Sequence, residues 1–320
     1  MNKKTINYIK FFLPILIGLL FVYYSFSKIS INQIVFYLQK CNPYWILLGI
    51  FFGVLSHISR SYRWNFLLNP IGYKITFLNS FFAVFSSYLI NLSIPRAGDV
   101  ARATIISKYE NIPFDKTLGT VIAERIADLI CALTIVCLAI FLKKDFITNL
   151  ILVKFNSLSI SRLTIGLILV SLLIFGLNNI FPTLLIKIKV FLKGISEGVF
   201  TIIKMKHRFQ FILHTIFIWA MYVLMFYATL LSMQEFNDIS FGPVLIGFIL
   251  GMFSIGLTNG GIGTYPEAIV IAFSLFSIAE EPSRAFGWIM WSSQTLMIII
   301  FGGVCLLLLP IYNNNKNQHK

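Results

Sequence analysis

Long apolar stretches, separated by short polar connections, run along almost the whole chain. Runs of about 18 to 25 apolar residues match the roughly 30 Å hydrocarbon core of a bilayer, because a helix rises about 1.5 Å per residue. The runs expected to cross the membrane are residues 11–26, 44–59, 118–142, 163–181, 211–231 and 285–309. The pattern predicts an all-α, polytopic integral membrane protein with about six full spans.

Two further stretches carry apolar residues at helical spacing with polar residues on the opposite face. The first includes Ile31, Ile34 and Leu38, and the second covers residues 184–203, with lysines on its polar side. Helices with this division of faces are typical of the membrane surface. Two interfacial amphipathic helices are therefore predicted.

Composition points to the same class of protein. The chain is 58% hydrophobic and 12% charged, with a mean hydropathy of +0.84, which excludes an ordinary soluble domain. The net charge of +14 is spread over short loops and segment ends. It is explained by topology and anionic lipid headgroups rather than by nucleic acid. The four cysteines and four histidines show no metal-ligand spacing, so no metal or cofactor is expected.

Two apolar runs are interrupted by polar residues, proline and glycine. Residues 92–99 read Leu-Ser-Ile-Pro-Arg-Ala-Gly-Asp, and residues 257–263 read Leu-Thr-Asn-Gly-Gly-Ile-Gly. The two share the pattern Leu-Ser/Thr-x-x-x-x-Gly, and the order of spanning, amphipathic and interrupted elements also occurs twice. We therefore predict a single membrane domain, residues 1–320, built from two repeats at about 10–145 and 160–310.

The positions of the basic residues favour a particular topology. If each interrupted run crossed the membrane fully, the basic loop after Arg60 and the basic helix at 187–208 would face opposite sides. A re-entrant or broken helical hairpin at each interruption removes this conflict. The prediction is two inverted repeats in the cell (inner or cytoplasmic) membrane, with both termini cytoplasmic.

The interruptions are candidate anion sites, because a helix N-terminus presents free N–H groups and partial positive charge. Arg96 and Arg102 would strengthen the first, since guanidinium groups bind phosphate in bidentate fashion. The glycines of the second allow close approach of a ligand to the backbone. Two such sites near the bilayer midplane suit an amphiphile with an anionic head.

Three charges lie within the run 118–142. Arg125 and Asp128 can pair at a spacing of three residues, whereas Glu124 and Asp128 are like charges on one face. At least one of these carboxylates therefore needs another partner, for which Arg96 or Arg102 is the candidate. Such a bond would be either a structural salt bridge or part of a ligand or proton site.

Purely structural roles are open for several of these residues. Thr264 and Glu267 fit a capping box, and Asp99 fits the N-cap of the helix that holds Arg102. Arg60 and Arg63 fit basic anchors at a membrane interface.

Four motifs together resemble the flippase-like family typified by the transmembrane region of lysylphosphatidylglycerol synthase, the multiple peptide resistance factor, with archaeal relatives connected with dolichol-linked glycolipids. They are Arg60-x-x-Arg63-Trp64, Pro95-Arg96-x-Gly98-Asp99-x-x-Arg102, Glu124-Arg125-x-x-Asp128, and Gly260-Gly261-x-Gly263 with Glu267. Asp99 stands where Glu is commoner. The last span, which often carries an arginine in this family, reads Trp-Ile-Met-Trp-Ser at 288–292, so no charge is expected from it.

The resemblance implies a flippase-like transporter that moves an anionic lipid or a polyprenyl-phosphate-linked lipid between leaflets. Because the chain ends at Lys320 without an aminoacyl-transferring domain, lipid translocation is expected rather than lysyl transfer.

The alternatives are a membrane-embedded enzyme that modifies lipid headgroups and a non-transporting accessory subunit of an envelope lipid pathway. The expected partners are membrane lipids, not nucleic acid, and a homodimer is allowed. The predicted substrate-binding residues, with none catalytic, are Arg60, Arg63, Arg96, Gly98, Asp99, Arg102, Glu124, Arg125, Asp128, Gly260, Gly261, Gly263 and Glu267.

Overall fold

The computed structural model describes residues 3–94, 97–142 and 205–318, and within these ranges the chain is helical and contains no strand. The α-helices are α1 (Lys3–Lys28), α2 (Ile31–Lys40), α3 (Pro43–Leu68), α4 (Phe77–Ser93), α5 (Gly98–Glu110), α6 (Phe114–Leu142), α7 (Arg208–Leu231), α8 (Phe241–Ile255), α9 (Thr264–Ser274) and α10 (Glu280–Gln318). The chain packs as two units, Met1–Glu124 with Phe209–Lys320, and Arg125–Arg208.

Three described helical stretches are long and apolar enough to cross a membrane: Pro43–Ile71, Arg208–Leu231 and Glu280–Asn314. A fourth span results if the bent pair Leu13–Lys28 and Ile31–Lys40 counts as one. The prediction of a polytopic helical membrane protein is therefore confirmed at this level. The run at 118–142 lies within α6, whereas the predicted span at 163–181 and the amphipathic helix at 184–203 lie outside the described residues.

The helix predicted around Ile31 is present as α2, at an angle of 76° to the preceding helix. Its start is fixed by a capping box: Ser30 Oγ accepts from the Gln33 backbone N–H, and the Gln33 side chain accepts from the Ser30 N–H at 2.8 Å. Glu281 of α10 accepts hydrogen bonds from Gln33 and Tyr37. These contacts hold α2 against the start of α10.

The first interruption forms an antiparallel helical hairpin of α4 and α5. At its tip, the Gly98 N–H donates to Asn91 Oδ1 at 2.7 Å, and a Cβ at Gly98 would lie 2.2 Å from the Ser87 carbonyl oxygen. At its open end, Glu110 accepts hydrogen bonds from Thr76 and Asn79. The limbs of 17 and 13 residues are about 25 and 20 Å long, shorter than the hydrocarbon core.

The second interruption gives a hairpin of α8 and α9. The turn between them needs left-handed backbone at Gly260, Gly261 and Gly263, with φ of 63°, 79° and 72°. A Cβ at Gly263 would lie 2.6 Å from the Val22 backbone nitrogen of α1, so glycine is also needed for packing. The two interruptions touch, because a Cβ at Gly260 would lie 2.8 Å from Leu92 Cδ2.

Helix α10 packs along both hairpins. Gly302 lies against α4, where an added Cβ would come 2.9 Å from the Phe85 carbonyl oxygen. Gly287 lies against α9, where it would come 2.5 Å from Pro266 Cα. An apolar core formed by Phe82, Phe85, Cys305 and Leu309 fills the α4–α10 contact. Close helix contacts at glycine thus position both interrupted elements on one long helix.

A buried arginine cluster on α3, α5 and α6

Three arginines converge on the carboxylate of Glu124 in α6. Arg60 Nη1 lies 2.8 Å and Arg63 Nη2 lies 3.0 Å from Glu124 Oε1, while Arg102 Nη2 lies 3.0 Å from Oε2. Arg102 Nη1 also donates to Oε1 at 3.2 Å, which makes its bond bidentate. All four side chains are at most 3% exposed. We call these four residues the arginine cluster.

Two local features bring the three arginines to Glu124. Arg60 and Arg63 are three residues apart in α3 and therefore share one face of that helix. Arg102 lies in α5, the second limb of the first hairpin. Because the interruption reverses the direction of the chain, it brings Arg102 towards α6. The cluster therefore joins a long helix, a hairpin limb and a second long helix.

Aromatic and hydroxyl groups hold the guanidinium groups in place. Arg102 Cζ lies 3.8 Å from the centre of the Trp64 ring, a cation–π contact, and Trp64 Nε1 donates to Thr120. Arg63 Nη1 donates to Thr215 Oγ1 of α7 at 2.6 Å. Arg60 Nη2 donates to the Tyr222 hydroxyl at 3.4 Å. The arginines are thus fixed in orientation by neighbours on three helices.

The four cluster residues carry three positive charges and one negative charge, a formal sum of +2. Taking charges out of water costs several kcal/mol per ion even when they are paired. The prediction that Glu124 or Asp128 needs a further partner, with Arg96 or Arg102 as the candidate, is met by the bond of Arg102 to Glu124. The hypothesis that Arg60 and Arg63 are simple interface anchors is wrong, because both are buried and bound to Glu124.

A second buried ion pair lies between the other hairpin and α10. Arg284 Nε donates to Glu267 Oε1 at 2.8 Å, and Nη2 donates to Oε2 at 3.1 Å. Glu280 Oε2 lies 3.5 Å from the same Nη2, one helical turn before Arg284. The expectation that the last helix supplies no charge is therefore wrong. The sequence did contain a signal for this charge. Glu280 and Arg284 are four residues apart, a spacing that places opposite charges on one face of a helix and so indicates that the last helix begins before Ala285.

The Glu267–Arg284 pair also overturns the capping-box hypothesis. The residue before α9 is Gly263, which makes no side-chain cap, and Thr264 is the first helical residue. Thr264 Oγ1 instead contacts the Ser254 carbonyl oxygen of α8 at 3.1 Å. Both oxygens of Glu267 accept from Arg284, because a buried carboxylate needs a full counter-charge more than a helix end needs a cap.

The remaining predicted residues fall into separate places. Gly98 is buried at the tip of the first hairpin. Asp99 lies in the first turn of α5, and Ala97 holds the N-cap position. The N-cap hypothesis for Asp99 is therefore wrong. Arg125 and Asp128 form the predicted pair at 3.8 Å in the second packing unit. Arg96 lies outside the described residues.

The glycines of the second interruption lie against α10 as well as α1. The Gly260 carbonyl oxygen accepts a hydrogen bond from Trp291 Nε1 at 2.8 Å. The two interruptions touch at Gly260 and Leu92, and the carboxylate of Glu267 is bound by Arg284. Each hairpin therefore carries a buried ionic residue that is bound by the long helix following it.

The fold and the buried charges define a polytopic helical membrane protein with two interrupted hairpins, each tied to the next long helix by an arginine–glutamate bond. Comparison with family models places the chain within a known group. It matches the lysylphosphatidylglycerol synthase TM region over residues 11–303. The protein belongs to this family.

Individual relatives match over shorter parts of the sequence. The UPF0104 membrane protein MJ1595 of Methanocaldococcus jannaschii is 31% identical over 36% of this chain and 35% of its own length. UPF0104 membrane protein PH1989 of Pyrococcus horikoshii is 25% identical over 53% of this chain and 51% of its own. The glycosyltransferase AglD of Haloferax volcanii is 30% identical over 31% of this chain and 16% of its own.

The matched region of the chain thus covers about a third to a half of the length of the two membrane relatives. No solved structure gives a significant match to it.

Proposed function

We propose that this protein is a flippase-like lipid transporter that binds the headgroup phosphate of an anionic lipid at the arginine cluster and moves the lipid between leaflets. The observation that carries the proposal is the convergence of Arg60, Arg63 and Arg102 on Glu124 inside an apolar protein. Membership of a family named for lysylphosphatidylglycerol synthesis supports a lipid substrate.

The charge and geometry of the cluster favour phosphate. Guanidinium groups form bidentate bonds with phosphate as they do with a carboxylate. In the proposed cycle, a lipid phosphate competes with Glu124 for Arg102. Arg102 is the one cluster arginine carried by a hairpin limb, so replacing its bond to Glu124 releases α5 from α6. Binding of the headgroup is thereby coupled to movement of the hairpin.

The proposed topology has about six spans and two re-entrant hairpins in inverted repeats, in the cell membrane with both termini cytoplasmic. The order of elements supports it: α3, the α4–α5 hairpin and α6 are followed by α7, the α8–α9 hairpin and α10. Hairpin limbs shorter than the hydrocarbon core end their helices within it. The interfacial placement of α2 fits its exposed Ile31, Phe36 and Leu38.

Reconstitution tests this function. Vesicles of phosphatidylcholine with a trace of headgroup-labelled phosphatidylglycerol receive the wild type, Arg102→Ala or Lys116→Ala, and a membrane-impermeant quencher reports the outer-leaflet fraction. Lys116 is the control because its side chain is 55% exposed. With the wild type and Lys116→Ala, labelled lipid from both leaflets should become accessible to the quencher. With Arg102→Ala, the rate at which lipid from the inner leaflet becomes accessible should fall about ten-fold or more.

The alternatives give different results in the same system. A headgroup-modifying enzyme would change the mass of the lipid, and an accessory subunit would leave both the distribution and the mass unchanged. An inactive wild type over a broad panel of anionic lipids and polyprenyl phosphates would contradict the transport proposal.

A further inference from the structure

An open groove of about 690 Å³ lies between α3 and α7, on the face of these helices next to the start of α4. Its lining residues are Leu55, Ile58, Ser59, Tyr62, Phe77, Leu213, His214 and Phe217. Apart from the hydrogen-bonded Ser59 Oγ and His214 Nδ1, 2.8 Å apart, the lining is apolar or aromatic. The volume falls in the range of small-molecule sites, about 300 to 1,000 Å³.

Helices α3 and α7 come into close contact at Gly49 and Gly53. There, a Cβ on Gly49 would lie 2.5 Å from Thr229 Oγ1, and a Cβ on Gly53 would lie 2.8 Å from Met225 Sδ. Towards the C-terminal end of α3, side chains bridge the two helices: Ser59 to His214, and Arg63 to Thr215. The groove lies at the bridged end, beside Ser59 and His214.

Helix α3 contributes to both the groove and the arginine cluster, and α7 lines the groove and contacts the cluster through Thr215 and Tyr222. Ser59 and Tyr62 line the groove, while the next residues in the sequence, Arg60 and Arg63, bind Glu124. On α7, His214 lines the groove and its neighbour Thr215 accepts from Arg63. One row of side chains therefore separates an apolar groove from a buried cationic cluster.

We propose that the groove binds one acyl chain of a phospholipid whose phosphate is taken up by the arginine cluster, and that the α3–α7 seam is the path by which the headgroup reaches the cluster. This inference rests on the proposed function and adds the chain-binding half of its site. Ser59 and His214, whose hydrogen bond crosses the seam, close that path when no headgroup is passing.

The occupant follows from the setting of the groove. Both of its walls belong to helices able to span a membrane, and Tyr62, Leu213 and Phe217 are exposed on its rim. In a bilayer these side chains face hydrocarbon, which consists of phospholipid acyl chains, so an acyl chain enters without losing its apolar surroundings. The cationic cluster one residue behind the lining supplies the complementary charge for the phosphate joined to that chain.

A matched pair of substitutions on α3 tests the groove. Leu55→Trp fills it, whereas Leu47→Trp places the same bulk on an exposed site of the same helix outside the lining. Each full-length variant is incubated in detergent with dioleoyl phosphatidylglycerol and, separately, with a polyprenyl phosphate. Lipid retained after washing is counted by native mass spectrometry, and a thermal melt confirms that both variants fold.

The proposal expects retained phosphatidylglycerol in the wild type and Leu47→Trp, and a loss of about ten-fold in Leu55→Trp. Equal retention in both variants would overturn it, as would a wild type that retains only the polyprenyl phosphate or no lipid. The flux assay separates this inference from the proposed function. If Leu55→Trp moves lipid normally while Arg102→Ala does not, the seam is not the path and the transport proposal stands. If the wild type moves no lipid but retains phosphatidylglycerol in a Leu55-dependent way, transport fails and the groove stands.

Discussion

Arg284 donates two hydrogen bonds to Glu267, and this pair repeats, with the charges reversed, the bidentate bond of Arg102 to Glu124. In both cases one residue lies on the second limb of a hairpin and the other on the long helix that follows it. A pair of this kind fixes the angle between limb and helix more strictly than apolar packing, because both partners must keep bidentate geometry. Each hairpin therefore has its own ionic attachment.

Removing one partner of the second attachment should destabilise the protein strongly. Glu267→Gln leaves the buried Arg284 with only the exposed Glu280, 3.5 Å away, as its counter-charge, and the expected cost is about 3 kcal/mol. The double variant Glu267→Leu with Arg284→Met removes both charges and should recover most of the loss, since an apolar pair of similar volume is often neutral or stabilising. Unfolding in mixed detergent micelles, followed by circular dichroism, measures both. A double variant less stable than the single one would contradict this account of the pair.

Glu124 should be the most sensitive carboxylate of the first hairpin region. Glu124→Gln leaves three buried arginines around a neutral amide, and the expected loss of unfolding free energy is about 3 to 5 kcal/mol. The control is Asp115→Asn in the first turn of the same helix, where the side chain is 74% exposed and a change of about 0.5 kcal/mol or less is expected. Similar losses for the two variants would show that the cluster does not hold α6.

Two glycines near the first hairpin should respond in opposite directions to alanine. At Gly98 a Cβ would lie 2.2 Å from the Ser87 carbonyl oxygen, so Gly98→Ala forces α5 away from α4 and destabilises by about 1 to 3 kcal/mol. At Gly119, in α6, the described residues outside its own stretch of helix place no atom within 4 Å of an added Cβ, so Gly119→Ala should stabilise by up to about 1 kcal/mol through helix propensity. The same unfolding measurement tests both, and a stable Gly98→Ala would exclude the tight hairpin tip.

Features set by local chemistry could be predicted from the sequence. Proline and glycine within apolar runs locate both interruptions, and like charges at Glu124 and Asp128 correctly required a further cation, which Arg102 supplies. The amphipathic spacing around Ile31 also gave α2 in its observed position. These inferences depend only on neighbours in sequence or on the cost of an uncompensated buried charge.

Features set by tertiary packing could not be predicted in this way. Arg60 and Arg63 have the spacing of interface anchors, and only the approach of α3 to α6 reveals that they bind Glu124. Glu267 has the spacing of a capping-box residue, but its carboxylate oxygens bind Arg284, which lies seventeen residues later in the sequence. Arg284 itself was missed because hydropathy places the start of the last span just beyond it, whereas the helix begins at Glu280.

The central claim is that the arginine cluster binds a lipid phosphate, and Kd for a short-chain phosphatidylglycerol tests it most directly. The titration compares the wild type, Arg102→Ala and the exposed-site control Lys116→Ala in detergent, after a melt has shown that each is folded. Loss of a charged hydrogen-bond donor costs about 1.5 to 3 kcal/mol, so Arg102→Ala should bind about 10- to 100-fold more weakly, with Lys116→Ala unchanged. Equal Kd values for the wild type and Arg102→Ala would contradict the account.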